Sequence, residues 1–146
     1  MVSYTPGTPV IIKRSPSEIE QPTPFHRLPA HRDALYLRHV RAQPCCVFGF
    51  ERGRIVVAHH VRIFGAGGMG LKPSDYLTVP LHCVTHRELH DMPEAAFWER
   101  AGIDPADEIR RLMESYLRLN ILPVDVYKGF HEAQLAVEEW IRRNKR

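Results

Sequence analysis

Five of the nine histidines of this chain gather in two short runs, "VVAHHVRI", which carries the adjacent pair His59 and His60, and "PLHCVTHRELH", which carries His82, His86 and His90. His86 and His90 are four apart, so on a helix they project from one face a turn from each other, with imidazole nitrogens able to converge on one ion. Such a pair also arises by chance on solvated helix faces, and alone it is a weak signal. The doublet strengthens it. On a strand, neighbouring side chains face opposite sides, so one of His59 and His60 can turn toward an ion while the other turns toward a substrate. The chemistry in view is that of a divalent cation held by imidazoles with one further imidazole beside it.

These side chains need elements to hold them. "DALYLRHVRAQ", from Asp33, spaces Leu37 and Val40 for a short amphipathic helix that ends before Pro44. In "CCVFGFERGRIVVAHH", the segment "GFERGR" reads as a tight connection between two extended pieces of a hairpin, and Ile55, Val56 and Val57 are strong strand formers leading into the doublet. "GAGGMG" holds four glycines in six residues and predicts a loop; a dinucleotide-binding turn would need a helix after it, whereas "LKPSDY" follows with a proline. "YLTVPL" is a further strand, and "THRELHDM" a helix with Thr85 as N-cap. "PEAAFWERAG" has Pro93 at a helix start and Gly102 past its end. "DPADEIRRLMESYLRLN" has Asp104 as N-cap and Pro105 in the first turn, and "HEAQLAVEEWIRR" forms a last helix with cations at its end.

Residues 1–31 contain six of the twelve prolines of the chain and predict an extended arm, leaving one domain over residues 32–146. The 146 residues are 44% apolar and 25% charged, an ordinary globular balance. A net charge of +3 permits a polyanionic partner without arguing for one. Neither a membrane span nor a signal peptide is evident, and three cysteines make no disulfide framework, so a cytoplasmic location and no membrane partner are expected.

The order strand, doublet, glycine loop, strand and histidine-paired helix resembles the ββα-metal fold of the HNH nucleases. "PCCVFG", "AHHVR", "GGMGLKPSDYLTVPL", "HRELH" and "AAFWERAGIDP", spread over roughly residues 32–106, are similar to motifs of the phage-associated HNH nucleases of the recombination-enhancement type. The resemblance implies an α+β domain with a ββα-metal core, additional helices and an extended proline-rich arm. It implies an endonuclease that hydrolyses DNA phosphodiester bonds with little sequence preference. His59 matches the first metal-ligand position, His60 the general base, His86 the middle position and His90 the final ligand. Neutral imidazole suits a base acting on water near neutral pH, and three imidazoles leave coordination positions open on one divalent ion, Zn, Ni, Co, Mn or Mg. The competing expectation is a DNA-binding accessory protein on the same scaffold that does not cut. No protein partner is implied.

Arg62, two residues beyond His60, together with Lys72 and Ser74 in the loop, are candidates to hold DNA phosphates, with solvated surface as the alternative. Asp75 either orients a histidine or starts a turn, and the turn is favoured. Phe97 and Trp98 read as core, and "RRNKR" as a solvated helix end. Many members of the resembled family carry a zinc ribbon, whose positions here read Cys45, Phe48, His82 and Thr85. Phenylalanine cannot ligate and threonine is a poor ligand. Phe48 is therefore expected to fill the former zinc pocket, Thr85 to cap the helix, and structural zinc to be absent.

Overall fold

In a computed structural model, the residues described are 31–64, 72–120 and 122–144. The expected extended arm lies outside them except for His31, and the "GAGGMG" loop lies wholly outside. Among the described residues the fold is α+β, a two-stranded antiparallel sheet among five helices.

Helix α1, Ala34–Arg41, begins where Asp33 accepts from the Tyr36 N–H, and it buries Tyr36 and Val40 against the sheet. Strands β1, Val56–His60, and β2, Thr78–His82, pair so that His59 lies opposite Val79 and His60 opposite Thr78. The hairpin therefore closes across the glycine-rich segment, and "GFERGR" does not join two strands. Instead, Gly49 N–H bonds Cys45 O at 2.7 Å and Arg54 N–H bonds Glu51 O at 3.2 Å, giving two consecutive turns. Gly49 and Gly53 sit at φ +72° and +79°, where side-chain-bearing residues are rare. The physical reason for the difference is burial: all of β2 is buried, whereas Phe48 and Phe50 face solvent and offer no apolar face on which a strand could pair.

Strand β2 runs without a loop into helix α2, Cys83–His90, because the Cys83 N–H is taken by Ile55 O at 2.9 Å. The N-cap is thus His82, with no side-chain cap, and Thr85 is a buried residue inside the first turn and not the cap expected. Helix α3, Glu94–Ala101, ends on Gly102 at φ 69°, and helix α4, Pro105–Leu119, starts with Asp104 accepting from Ala106 N, both as the sequence suggests. Phe97 and Trp98 are buried in the core.

Helix α5, Val124–Asn144, starts well before the "HEAQLAVEEWIRR" segment. Its extra turns include Gly129, a residue that argues against helix on propensity, but a Cβ there would overlap the Tyr76 ring. Close approach to Tyr76, which stacks edge-on with Tyr36 and Phe130, decides the matter. No helix of the described residues is long and apolar enough to cross a membrane.

Candidate functional site

Helix α2 presents His86 and His90 on one face, with their Nε2 atoms 3.0 Å apart. The His59 ring, from the end of β1, lies edge-on to both, at centroid distances of 5.1 Å and 6.0 Å. One ligand atom from each of the three lies within 4.8 Å of the others, and among the described residues this is the group able to hold a metal ion. Two imidazoles bound to one ion at about 2.0–2.1 Å each would set their nitrogens roughly 3 to 3.4 Å apart, so the His86–His90 spacing suits a shared cation. Burial, with the neighbouring His59, His90 and His60, holds His86 down at about 4, so its ring is neutral and its lone pair available well below neutral pH.

His59 is 3% exposed, and its Nε2 lies 2.8 Å from Glu94 Oε1. A carboxylate accepts, so Nε2 carries the proton and Nδ1 is left as the ligand nitrogen. Glu94, the first residue of α3, also accepts from Trp98 Nε1 at 3.4 Å and, through Oε2, from the Arg62 N–H at 2.9 Å. Burial alone would raise its carboxyl, but hydrogen bonds and charge from His59, with the Arg62 N–H and Trp98, bring it below the ordinary value. Sequence reasoning missed Glu94. Its only local signal is an acid in the first turn of a helix, and the residue it serves is 35 positions away.

His60 faces a different carboxylate. Its Nε2 lies 2.8 Å from Asp75 Oδ1, so Asp75 holds both places the sequence offered: it sits in the turn closed by the Leu77 N–H on Ser74 O at 3.0 Å, as favoured, and its carboxylate also orients His60. Asp75 is itself fixed by the Asp33 N–H at 2.8 Å and by Arg32 Nη1 at 3.4 Å. Arg32 also spans to Pro73 O and Lys72 O, at 2.7 Å and 2.9 Å, which pins the incoming segment of β2. Burial lowers the His60 pKa, the Asp75 bond raises it, and Lys72 and Arg32 lower it again; the net shift is downward.

A cleft of about 570 Å³ opens over these groups, lined among others by His59, His60, His86, His90, Arg62 and Lys72. Arg41, at the end of α1, also lines it and was not anticipated. Ser74 does not: it is 4% exposed and its hydroxyl accepts from the Tyr76 N–H, so its place is in the fold and not on a phosphate.

The four positions expected to correspond to a zinc ribbon differ in character. Cys45 and Thr85 are buried, and His82 is buried with neither ring nitrogen hydrogen-bonded, its Nε2 lying 3.8 Å from Glu51. Phe48 is 65% exposed, so it fills no pocket. The turn closed by Gly49 carries its side chain outward.

Fold and site together define an α+β protein whose strand pair and following helix gather a three-histidine candidate metal centre beside a carboxylate-held fourth histidine. The chain belongs to the family described as Protein of unknown function (DUF968), whose profile matches residues 16–118. It is also similar to "Uncharacterized protein YdfU" of Escherichia coli (strain K12), at 33% identity over 106 residues, which is 70% of this chain and 29% of that protein's length. No solved structure matches.

Proposed function

We propose that this protein is a metal-dependent endonuclease of the ββα-metal type that hydrolyses DNA phosphodiester bonds with little sequence preference. One observation carries the reading: three imidazoles converge within 4.8 Å, and a fourth, held by a carboxylate, lines the same cleft. His59, His86 and His90 would hold one divalent cation, whose chemistry is to neutralise the phosphate and stabilise the leaving oxygen. His60 takes the proton of the attacking water. The Asp75 carboxylate occupies Nε2–H, which leaves the basic lone pair on Nδ1, and burial keeps the ring neutral so that it can accept. Arg62, Lys72 and Arg41 supply positive charge along the cleft for flanking phosphates.

The test is incubation of the purified protein with plasmid and with single-stranded DNA across a panel of divalent ions, with EDTA and His60→Ala as controls. Nicking that needs an added ion and vanishes in His60→Ala is expected. A wild-type protein that retards DNA in gels but nicks it with no ion would replace this reading with that of a non-cleaving DNA-binding accessory.

A further inference from the structure

Outside the cleft, the turn pair between Cys45 and Ile55 has an unusual surface. Phe48 and Phe50 are 65% and 82% exposed, although burying a phenylalanine is worth roughly 1.5–3 kcal/mol. They are not carried on a loose loop. The segment is tied to the sheet at both ends, by Cys46 N–H to Pro80 O at 2.9 Å and Cys83 N–H to Ile55 O at 2.9 Å, and each of its turns is closed by its own backbone bond. Ordered backbone therefore holds both rings in water. Arg52 and Arg54, both exposed, follow directly. Arg54 shares its charge with Glu51 at 3.2 Å, whereas Arg52 makes no ion pair among the described residues.

We propose that this turn pair binds single-stranded nucleic acid, with Phe48 and Phe50 as stacking faces for successive bases and Arg52 and Arg54 as contacts to the phosphates. Three features favour this occupant. Gly49 separates the two rings, and Glu51, Arg52 and Arg54 stand between Phe50 and the third exposed apolar side chain of the segment, Ile55, so charges interrupt the apolar surface that a protein interface core would need. Aromatic faces with cations beside them suit a strand that offers bases to the rings and phosphates to the arginines. In a duplex the base faces are already stacked on one another, so only unpaired bases can use such rings. The surface also leads toward the cleft, since Ile55 is followed by β1, and Val57, two residues on, lines the cleft that holds His59 and His60.

The inference stands apart from cleavage, because binding is measured in EDTA. The full chain is titrated into short fluorescein-labelled oligo(dT), oligo(rU) and duplex DNA, read by fluorescence anisotropy. Both single strands should bind more tightly than duplex, and the comparison of the two shows whether the site prefers DNA or RNA. Phe48→Ala and Phe50→Ala should each weaken single-strand binding by about 5- to 150-fold, the range expected for one lost stacking contact. Phe50→Tyr should keep the affinity, whereas Phe50→Leu, apolar but without a π-face, should lose it. Arg52→Gln should flatten the plot of log affinity against log salt by about 0.7. Since these side chains are exposed, circular dichroism should be unchanged in all variants. Single-strand affinity in Phe50→Leu equal to wild type, or duplex bound as tightly as single strands, would overturn the proposal. So would a wild-type dimer in sedimentation that Phe48→Ala/Phe50→Ala splits without altering oligonucleotide affinity, which would make the surface an interface between copies.

Discussion

Glu94→Gln tests the metal centre without touching a ligand. The carboxylate makes three contacts: Oε1 accepts from His59 Nε2 at 2.8 Å and Trp98 Nε1 at 3.4 Å, and Oε2 from the Arg62 N–H at 2.9 Å. An amide keeps one acceptor oxygen. If that oxygen stays on His59, its NH2 group meets the Arg62 N–H, donor against donor, and the negative charge that makes His59 a better ligand is gone. The side chain of Glu94 is only 12% exposed, so water replaces little of what is lost. Loss of such an orienting partner costs about 10- to 100-fold in metal affinity, or about 1.4–2.7 kcal/mol at 1.36 kcal/mol per factor of ten. Glu94→Gln should fall near the lower end, because its carbonyl still fixes the His59 tautomer, and Glu94→Ala near the upper end. Zinc affinity is read by competition with a chromophoric chelator, and cobalt absorption reports the ligand field. Thermal unfolding in EDTA separates this effect from damage to the fold. If both variants bind zinc within about twofold of wild type, His59 is either not a ligand or not oriented by Glu94.

His60→Ala should abolish cleavage yet retain the metal, and Asp75→Asn should lower the rate less, by about 10- to 100-fold, with plasmid nicking and elemental analysis as the readouts. His90→Ala should lose metal and activity together; stoichiometric metal in that variant would count against the site. The wild-type chain should bind one metal and keep its fold on chelation, because the described core is built from apolar packing, and a circular dichroism spectrum that collapses in EDTA would refute this. The metal-free protein should lose stability as pH falls from 6.5 toward about 4, since burial and neighbouring histidines hold folded His86 down at about 4 and the unfolded chain takes up its proton first. Glu94 adds a loss of the same sign below 4.5, where its depressed carboxyl protonates, and melting in EDTA that stays flat across this range would contradict both. Gly129→Ala should cost about 1–3 kcal/mol in urea unfolding, because the added methyl meets the Tyr76 ring; an unchanged midpoint would mean that α5 does not dock there.

What the sequence determined by itself is what depends on near neighbours. The cap at Asp104 and the stop at Gly102 were legible because a cap is a bond within a few residues. The shared face of His86 and His90 was legible because helical periodicity fixes it. The tertiary structure alone decided which strand β1 pairs with, since antiparallel partners are chosen by burial across a loop of unspecified path, and all of β2 is buried while Phe48 and Phe50 are not. It alone decided the start of α5, where contact with Tyr76 overrides the low helix propensity of Gly129. It also supplied the carboxylates: Glu94 and Asp75 stand 35 and 15 residues from the histidines they hold, and no periodicity links them. A hydrogen bond between side chains on different elements depends on where the packed core sets those elements, and that placement is a property of the whole chain and not of any window within it.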